Sequence, residues 1–469
     1  MPMTDEAEIF YEFAPAEAYL GDNVVAFPGA EPVEVSEDSI ALAFTAQYGE
    51  TMRFDHDVGK WFQWNGARWK ETKTKAAFHF AREIMRRMAA GKKGMCKSSV
   101  ASGAEKFAQA DPTHAVVSEI WDKDSWMLGT PGGTLNLKTG KMHKAKPQDF
   151  ITKLTGCVPS SKKPELWLKF LNDATRGDAE MMTYLQRVAG YCLTGMTTEH
   201  SLFFIYGPGG NGKSVYLNTL TYILGDYATP APMDTFTANK FSSHPTELAM
   251  LKGARLVTAS ETEEGRAWAE ARIKALTGGD PISARLMRQD FFTYQPQFKL
   301  LFAGNHQPRL NNVDPAMRRR FNMLPFINKP TEPDHMLEEK LRAEAPEILG
   351  WALQGCRDWQ KHGIGRPSNV AVATDTYFEK QDMFSQWLED NCRVERDNRS
   401  LFTSSANLFR DWTAYAVSAG ERPCARNTFS ENLERAGLVQ HRLPASLGKH
   451  RGFLGIELLR QNSGENFDD

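Results

Sequence analysis

The chain of 469 residues contains no run of about 18 uncharged apolar residues, so it is not expected to cross a membrane as a helix. Its six cysteines (Cys96, Cys157, Cys192, Cys356, Cys392, Cys424) form no Cys-x-x-Cys pair. That spacing argues against a zinc site and against a disulfide framework, and fits a reducing compartment. Residues 1–50 hold no Lys or Arg against 11 acidic side chains. The start therefore lacks the basic and apolar regions of a secretory signal, and the expected location is the cytoplasm where the protein is made. Internal repeats and low-complexity tracts are also missing.

What is present is ordinary for soluble globular protein: 41% hydrophobic and 24% charged residues, in a length that suggests about two to four domains. The net charge of −2 hides an asymmetry, because all 56 basic residues lie beyond residue 50. A nucleic-acid partner is allowed by that balance but not required.

Residues 1–40 read as an acidic flexible leader broken by Pro15, Pro28 and Pro32. An N-terminal α+β domain is expected over 41–160. It opens with an aromatic hairpin, Trp61-Phe-Gln-Trp64 and Arg68-Trp69 around a tight Asn65-Gly66 turn. A helix follows with Phe80, Ile84 and Met88 at four-residue spacing, and a second hairpin is expected near residue 140. Helices at Trp167–Leu171 and Met181–Leu193 form a collar over 161–200. From 201 to 330 short apolar runs (Leu202–Tyr206, Arg255–Ala259, Phe298–Phe302) alternate with helices, as interior strands of a parallel sheet should. A helical lid and linker, 331–375, ends at the Gly363–Pro367 punctuation. Three helices and a strand pair over 376–469 suggest a winged-helix-like domain.

Gly207-Pro208-Gly209-Gly210-Asn211-Gly212-Lys213-Ser214 matches the phosphate-loop pattern directly after a strand and before a helix. Glycines let successive N–H groups curl around a phosphate, and the helix points its positive end there. Lys213 can reach the β- and γ-phosphates of ATP, and the Ser214 hydroxyl can ligate Mg²⁺. The loop also reads as the dinucleotide fingerprint. That rival requires a second strand ending in an acid, where Ala228-Thr-Pro-Ala-Pro-Met-Asp234 offers prolines.

Downstream, Glu261 and Glu263 follow the second strand, where carboxylates can hold the Mg²⁺ shell and orient the attacking water. A solvated acidic turn is the bland alternative. Asn305 ends the third strand as a possible γ-phosphate sensor or a plain turn residue. Arg318-Arg319-Arg320 fits either a basic surface or an arginine reaching a neighbouring subunit's nucleotide. Lys274, Arg285, Arg288, Phe291 and Phe292 supply cations and rings suited to single-stranded DNA, or to anchoring a surface hairpin.

This series resembles the superfamily 3 helicases, specifically the primase–helicases of satellite phages, plasmids and large DNA viruses, including the poxvirus type. The resemblance rests on Gly-Pro-Gly-Gly-Asn-Gly-Lys-Ser, Ala-Ser-Glu-Thr-Glu, Lys-x-Leu-Thr-Gly-Gly-Asp, Gly-Asn-x-x-Pro, and Arg-Arg-Phe before Leu-Pro-Phe. It implies an α/β fold with an AAA+-like core, and a homo-hexameric ring that encircles one strand of forked DNA and hydrolyses ATP between subunits. Lys213 and Ser214 would hold phosphate and Mg²⁺, with Glu261 as a further metal ligand and Glu263 the second acid. Asn305 would be the sensor, Arg320 the finger with Arg319 next, and Arg288 the channel residue. About 160 residues precede the collar, so primase activity is not expected, and a separate primase or polymerase is an implied partner. A ring ATPase for DNA loading or packaging, or an ATP-switched initiator, would share these motifs.

Overall fold

Alternate residues of the interior strands face opposite apolar layers, and this sorts the core. In a computed structural model, the described residues are 35–89, 94, 96–238, 245–260, 266–287, 290–310, 314–330, 332–419, 423–442 and 451–459. They form two units, one of 35–65 with 69–120 and one of 66–68 with 121–459.

In the first unit, strands Met52–Asp55, Lys60–Trp64 and Trp69–Glu71 form an antiparallel meander, with Ala115–Val116 added parallel at its edge. Trp64 pairs with Trp69, so the connection around Asn65-Gly66 is a four-residue loop and not the expected two-residue turn. Helices Glu37–Tyr48, Ala76–Ala89 and Ser98–Ala110 bury Ile40, Phe44, Ala81 and Ile84 against Trp61 and Phe54. Ser36 starts the first helix by a capping box with Ser39.

The second unit is built on a five-stranded parallel sheet. Its order is Phe321–Pro325, Leu202–Tyr206, Lys299–Gly304, Leu256–Ser260, Ala228–Pro230. Phe203, Ile205, Leu301 and Leu324 face one layer, with helices Lys213–Leu224, Glu165–Ala174, Ala179–Cys192 and Ala345–His362. Leu202, Phe204, Phe302 and Phe321 face the other, against Trp268, Tyr377 and Phe378. The strand that carries Pro230 lies at the sheet edge, where its missing N–H is tolerated. It is also three strands from the phosphate-loop strand. A dinucleotide fold places the second strand beside the first, so the rival reading of the glycine loop fails on topology.

The hairpins of Met127–Thr130, Gly133–Asn136 and Lys141–His143 belong to this second unit. The amino ends of two interior strands hold two buried cations. Arg255 donates to the carbonyls of Leu193 (2.6 Å) and Met127 (2.6 Å), and Lys299 donates to Thr194 O at the end of the collar. Glu344 accepts from the N–H groups of Leu166 and Trp167, both at 2.9 Å, and so satisfies the first turn of the collar helix Glu165–Ala174. Helix Ser368–Gln381 lies beyond the Gly363–Pro367 turn yet still packs on the sheet, through Tyr377 and Phe378.

From Met383 a further small core forms around Trp387, Trp412 and Phe429. It comprises helices Met383–Asn391, Ser405–Ser418 and Arg426–Arg435 with short strands, among them the pair Val439–Arg442 and Arg451–Leu454.

Candidate functional site

The phosphate loop leaves the carboxyl end of Leu202–Tyr206, between two strands that end level with it. Tyr206 is in register with Gly304 on one side and Pro325 on the other. At Gly207 (φ +149°) an added Cβ would sit 2.0 Å from the Phe326 carbonyl, so the loop can pass the neighbouring strand only as glycine. Gly212 (φ +85°) meets the Phe170 ring of the collar at 2.6 Å in the same sense. Around Gly209 and Gly210 nothing stands within 4 Å of an added Cβ, which leaves that side open to an anion. Helix Lys213–Leu224 starts at once, with Ser214 exposed in its first turn.

Lys213 is folded over its own loop. Its Nζ donates to the carbonyls of Gly207 (2.8 Å) and Pro208 (3.0 Å) and to Asn211 Oδ1 (2.9 Å). Burial, and then the charge of Lys329, hold its ammonium below the usual lysine range. Asn211 Nδ2 donates to Phe326 O, and Phe326 N donates to Tyr206 O (2.8 Å). The loop is thereby stitched to the strand that leads back to the arginines.

Asn305 is exposed immediately after Lys299–Gly304, the strand adjacent to the phosphate-loop strand. Glu261 and Glu263 lie outside the described residues. Ser260, just before them, ends a strand one place further from the loop than a direct neighbour, because Lys299–Gly304 intervenes.

Asp314 caps the short helix Pro315–Arg320, its Oδ1 accepting from Met317 N (2.7 Å). Three arginines end that helix and face different ways. The Arg318 guanidinium is 3.7 Å from Asp375 and 5.7 Å from the Phe378 ring centroid. Arg320 turns inward, donating to Thr277 Oγ1 (3.1 Å) and Ala316 O (2.8 Å). Arg319 is exposed. Lys274 is paired with Asp314, which ties the segment before the hairpin to the start of the arginine helix.

The hairpin pairs Ile282–Ala284 with Phe292–Tyr294. Tyr294, at its base, donates to Leu248 O (2.6 Å), and at the loop end of the pairing the Lys252 ammonium lies 5.0 Å from the Phe292 ring centroid. Phe292 is therefore half-buried, an anchor of the hairpin. At the tip, Met287 is 72% and Phe291 60% exposed, and the Arg285 guanidinium lies 4.9 Å from the Phe291 ring centroid. Arg288 lies outside the described residues.

Nothing in the sequence marks Lys329 or Arg366, which the fold brings to these elements from beyond the motifs. Two Asp-x-Asp pairs are also present. Asp55 and Asp57 accept from Ser118 Oγ (2.7 Å) and Ser118 N (2.9 Å). Asp122 accepts from Thr152 N (3.0 Å). Each of these three carboxylates is thereby tied to a segment 30 or more residues away in sequence. Among the described residues, no group of three or more His, Cys, Asp or Glu side chains could hold a metal ion, and no helix is long and apolar enough to cross a membrane.

Known proteins share these features in part. A family model described as D5 N terminal like matches residues 41–176, and one described as a family of unknown function (DUF5906) matches 205–320. A candidate helicase of Acanthamoeba polyphaga mimivirus is 26% identical over 377 residues, which is 74% of this chain and 38% of that protein. Another, of Frog virus 3 (isolate Goorha), is 25% identical over 327 residues, 64% of this chain and 32% of its own length. The chain thus spans between about a third and two fifths of these curated relatives. Two structures of the NrS-1 C-terminal region align over 90% of this chain and 100% of their own. Their TM-scores are 0.51 and 0.50 at 11% and 12% identity, so the likeness is one of fold. This chain is thus similar in part to two viral proteins named as helicases, and it shares its fold with the NrS-1 C-terminal region.

Proposed function

From these likenesses and the motifs of the loop and strand ends, we propose that this chain is the ATP-driven motor of a replicative DNA helicase, working as a homo-hexameric ring on single-stranded and forked DNA. The observation that carries the reading is the convergence at the carboxyl end of the sheet: the glycine loop, Asn305 and the strand from the arginine helix end side by side. The residues fit ATP with Mg²⁺, because the loop is open where a phosphate would approach and closed behind by Phe326 and Phe170. When bound, ATP supplies the γ-phosphoryl group for transfer to water.

The chain's own parts then have separate roles. Loop N–H groups and the helix N-terminus hold phosphate oxygens, Lys213 exchanges loop carbonyls for the β- and γ-phosphates, and Ser214 ligates the metal. Glu261 and Glu263 orient the metal shell and the water, and Asn305 contacts the γ-phosphate. Arg318 and Arg319 are both exposed, and Arg318 lies against Asp375 and Phe378, so Arg319 is the arginine presented to the next subunit. Arg320, ranked first by the resemblance, braces the helix from within through Thr277. The Arg285 and Phe291 tip offers a cation and a ring face to a single strand. Three helices with a strand pair after residue 382 support a winged-helix reading of the C-terminal body, a second DNA contact.

Lys213→Ala is expected to reduce ATP turnover about a hundredfold or more with unchanged thermal unfolding, since charge stabilisation at a transferring phosphoryl group is worth several kcal/mol. A tailed-duplex assay reads the same variant for unwinding. Turnover within about tenfold of wild type would remove the phosphate-loop assignment. DNA-stimulated hydrolysis without strand separation in the wild-type protein would favour a loading or packaging motor.

A further inference from the structure

We infer that Arg366, acting with Asn322, is a positioning residue for the arginine presented to the neighbouring subunit. This rests on the reading of Arg319 as that arginine. Helix Pro315–Arg320 passes into strand Phe321–Pro325 with no intervening loop. A helix end normally leaves its last carbonyls without partners inside the helix. Here two side chains take carbonyls at the junction, Arg366 from beyond the sheet and Asn322 from the strand itself. Arg366 Nη2 donates to Arg319 O (3.3 Å) and Phe321 O (2.9 Å), and Asn322 Nδ2 donates to Arg320 O (3.2 Å).

The two side chains also hold each other. Arg366 Nε donates to Asn322 Oδ1 at 3.0 Å, and the same oxygen accepts from Tyr184 OH at 2.9 Å. Asn322 and Tyr184 are each 1% exposed, and Asn322 Nδ2 also donates to Leu202 O (3.3 Å) on the phosphate-loop strand. A planar guanidinium with fixed donor directions is suited to span carbonyls that a point-charge ammonium could not hold together. The network therefore fixes the peptide planes on both sides of Arg320, and with them the direction in which Arg319 leaves the helix. It joins the collar (Tyr184), the phosphate-loop strand (Leu202) and the Gly363–Pro367 turn to that one junction. Because reach is sensitive to displacements of about 1 Å, loosening the junction should lower turnover without touching the nucleotide pocket of the same chain.

The test uses full-length protein and subunit mixing. Arg366→Gln is expected to lower kcat of DNA-stimulated ATPase roughly ten- to hundredfold, with ring size and binding of a fluorescent ATP analogue unchanged. Mixed with Lys213→Ala, whose arginines are intact, Arg366→Gln should recover activity. Mixed with Arg319→Ala, which has the same defect, it should not. Recovery in an Arg319→Ala with Lys213→Ala mixture is the control for the trans arginine, and its failure in proven mixed rings removes that reading and this proposal with it. If the control recovers, the proposal is overturned by either of two results. One is kcat of Arg366→Gln within about twofold of wild type. The other is the reverse complementation pattern, which would place Arg366 with its own chain's loop. Should Arg366→Gln fail to fold, Arg366→Lys keeps the charge and loses the fork; it should show an intermediate kcat and the same pattern, and wild-type kcat in it overturns the proposal.

Discussion

Lys299 begins the central strand of the sheet among carbonyl oxygens and the Tyr191 ring, 4.8 Å from its ammonium, with no carboxylate among its hydrogen-bond partners. Burial, partly offset by Cys192 and reinforced by Arg255, drives its pKa down to about 7. An unfolded lysine titrates near pH 10.4. Between those values the unfolded chain binds the extra proton, so this group makes stability rise as pH rises, and its penalty is fully present below about pH 7. Lys299→Met lacks that term. Thermal unfolding is expected to show the wild type gaining on the variant from about pH 7 to about pH 9.5, and parallel curves would contradict it. A sequence displays Lys299 merely as one residue of the apolar run Phe298–Phe302. Its burial depends on collar carbonyls about a hundred residues earlier, which no local pattern encodes.

Among elements, the interior strands were the most legible, because a strand covered on both faces must be continuously apolar. Leu202–Tyr206 appears with the bounds its composition implies, and the other two runs are displaced by about one residue or extended. The glycine loop was legible too, since its spacing answers to backbone geometry. The order of strands was not, and it decides which strand ends flank the loop. Hairpin residues separated only in three dimensions: Phe292, in the last pair before the loop, faces Lys252, while Phe291 in the loop lies beside Arg285. Arg285→Ala with Phe291→Ala is therefore expected to weaken single-strand binding roughly tenfold or more, given about 1–3 kcal/mol for each base–aromatic stack. The ratio of DNA-stimulated to DNA-free ATPase should fall toward one, and strand separation with it. Wild-type unwinding by that double variant would make the hairpin a prop.

At the scale of the whole molecule, the strand leading into the loop proposed to hold the nucleotide and the strand leaving the arginine helix proposed to reach the next subunit are neighbours in one sheet. Asn211 Nδ2 bonds to Phe326 O, the residue that directly follows the arginine strand. If the loop shifts as it fills in the proposed ring, it should pull on that strand, and through it on the arginine proposed to cross the interface. Occupancy at one site becomes information at the next, which is the physical basis of cooperativity. ATP hydrolysis by assembled rings should accordingly follow a sigmoidal dependence on ATP concentration, with a Hill coefficient above one. In Asn211→Ala, which cuts the stitch, the curve should relax toward a hyperbola. A hyperbolic wild-type curve in verified rings would mean that each subunit fires without regard to its neighbour.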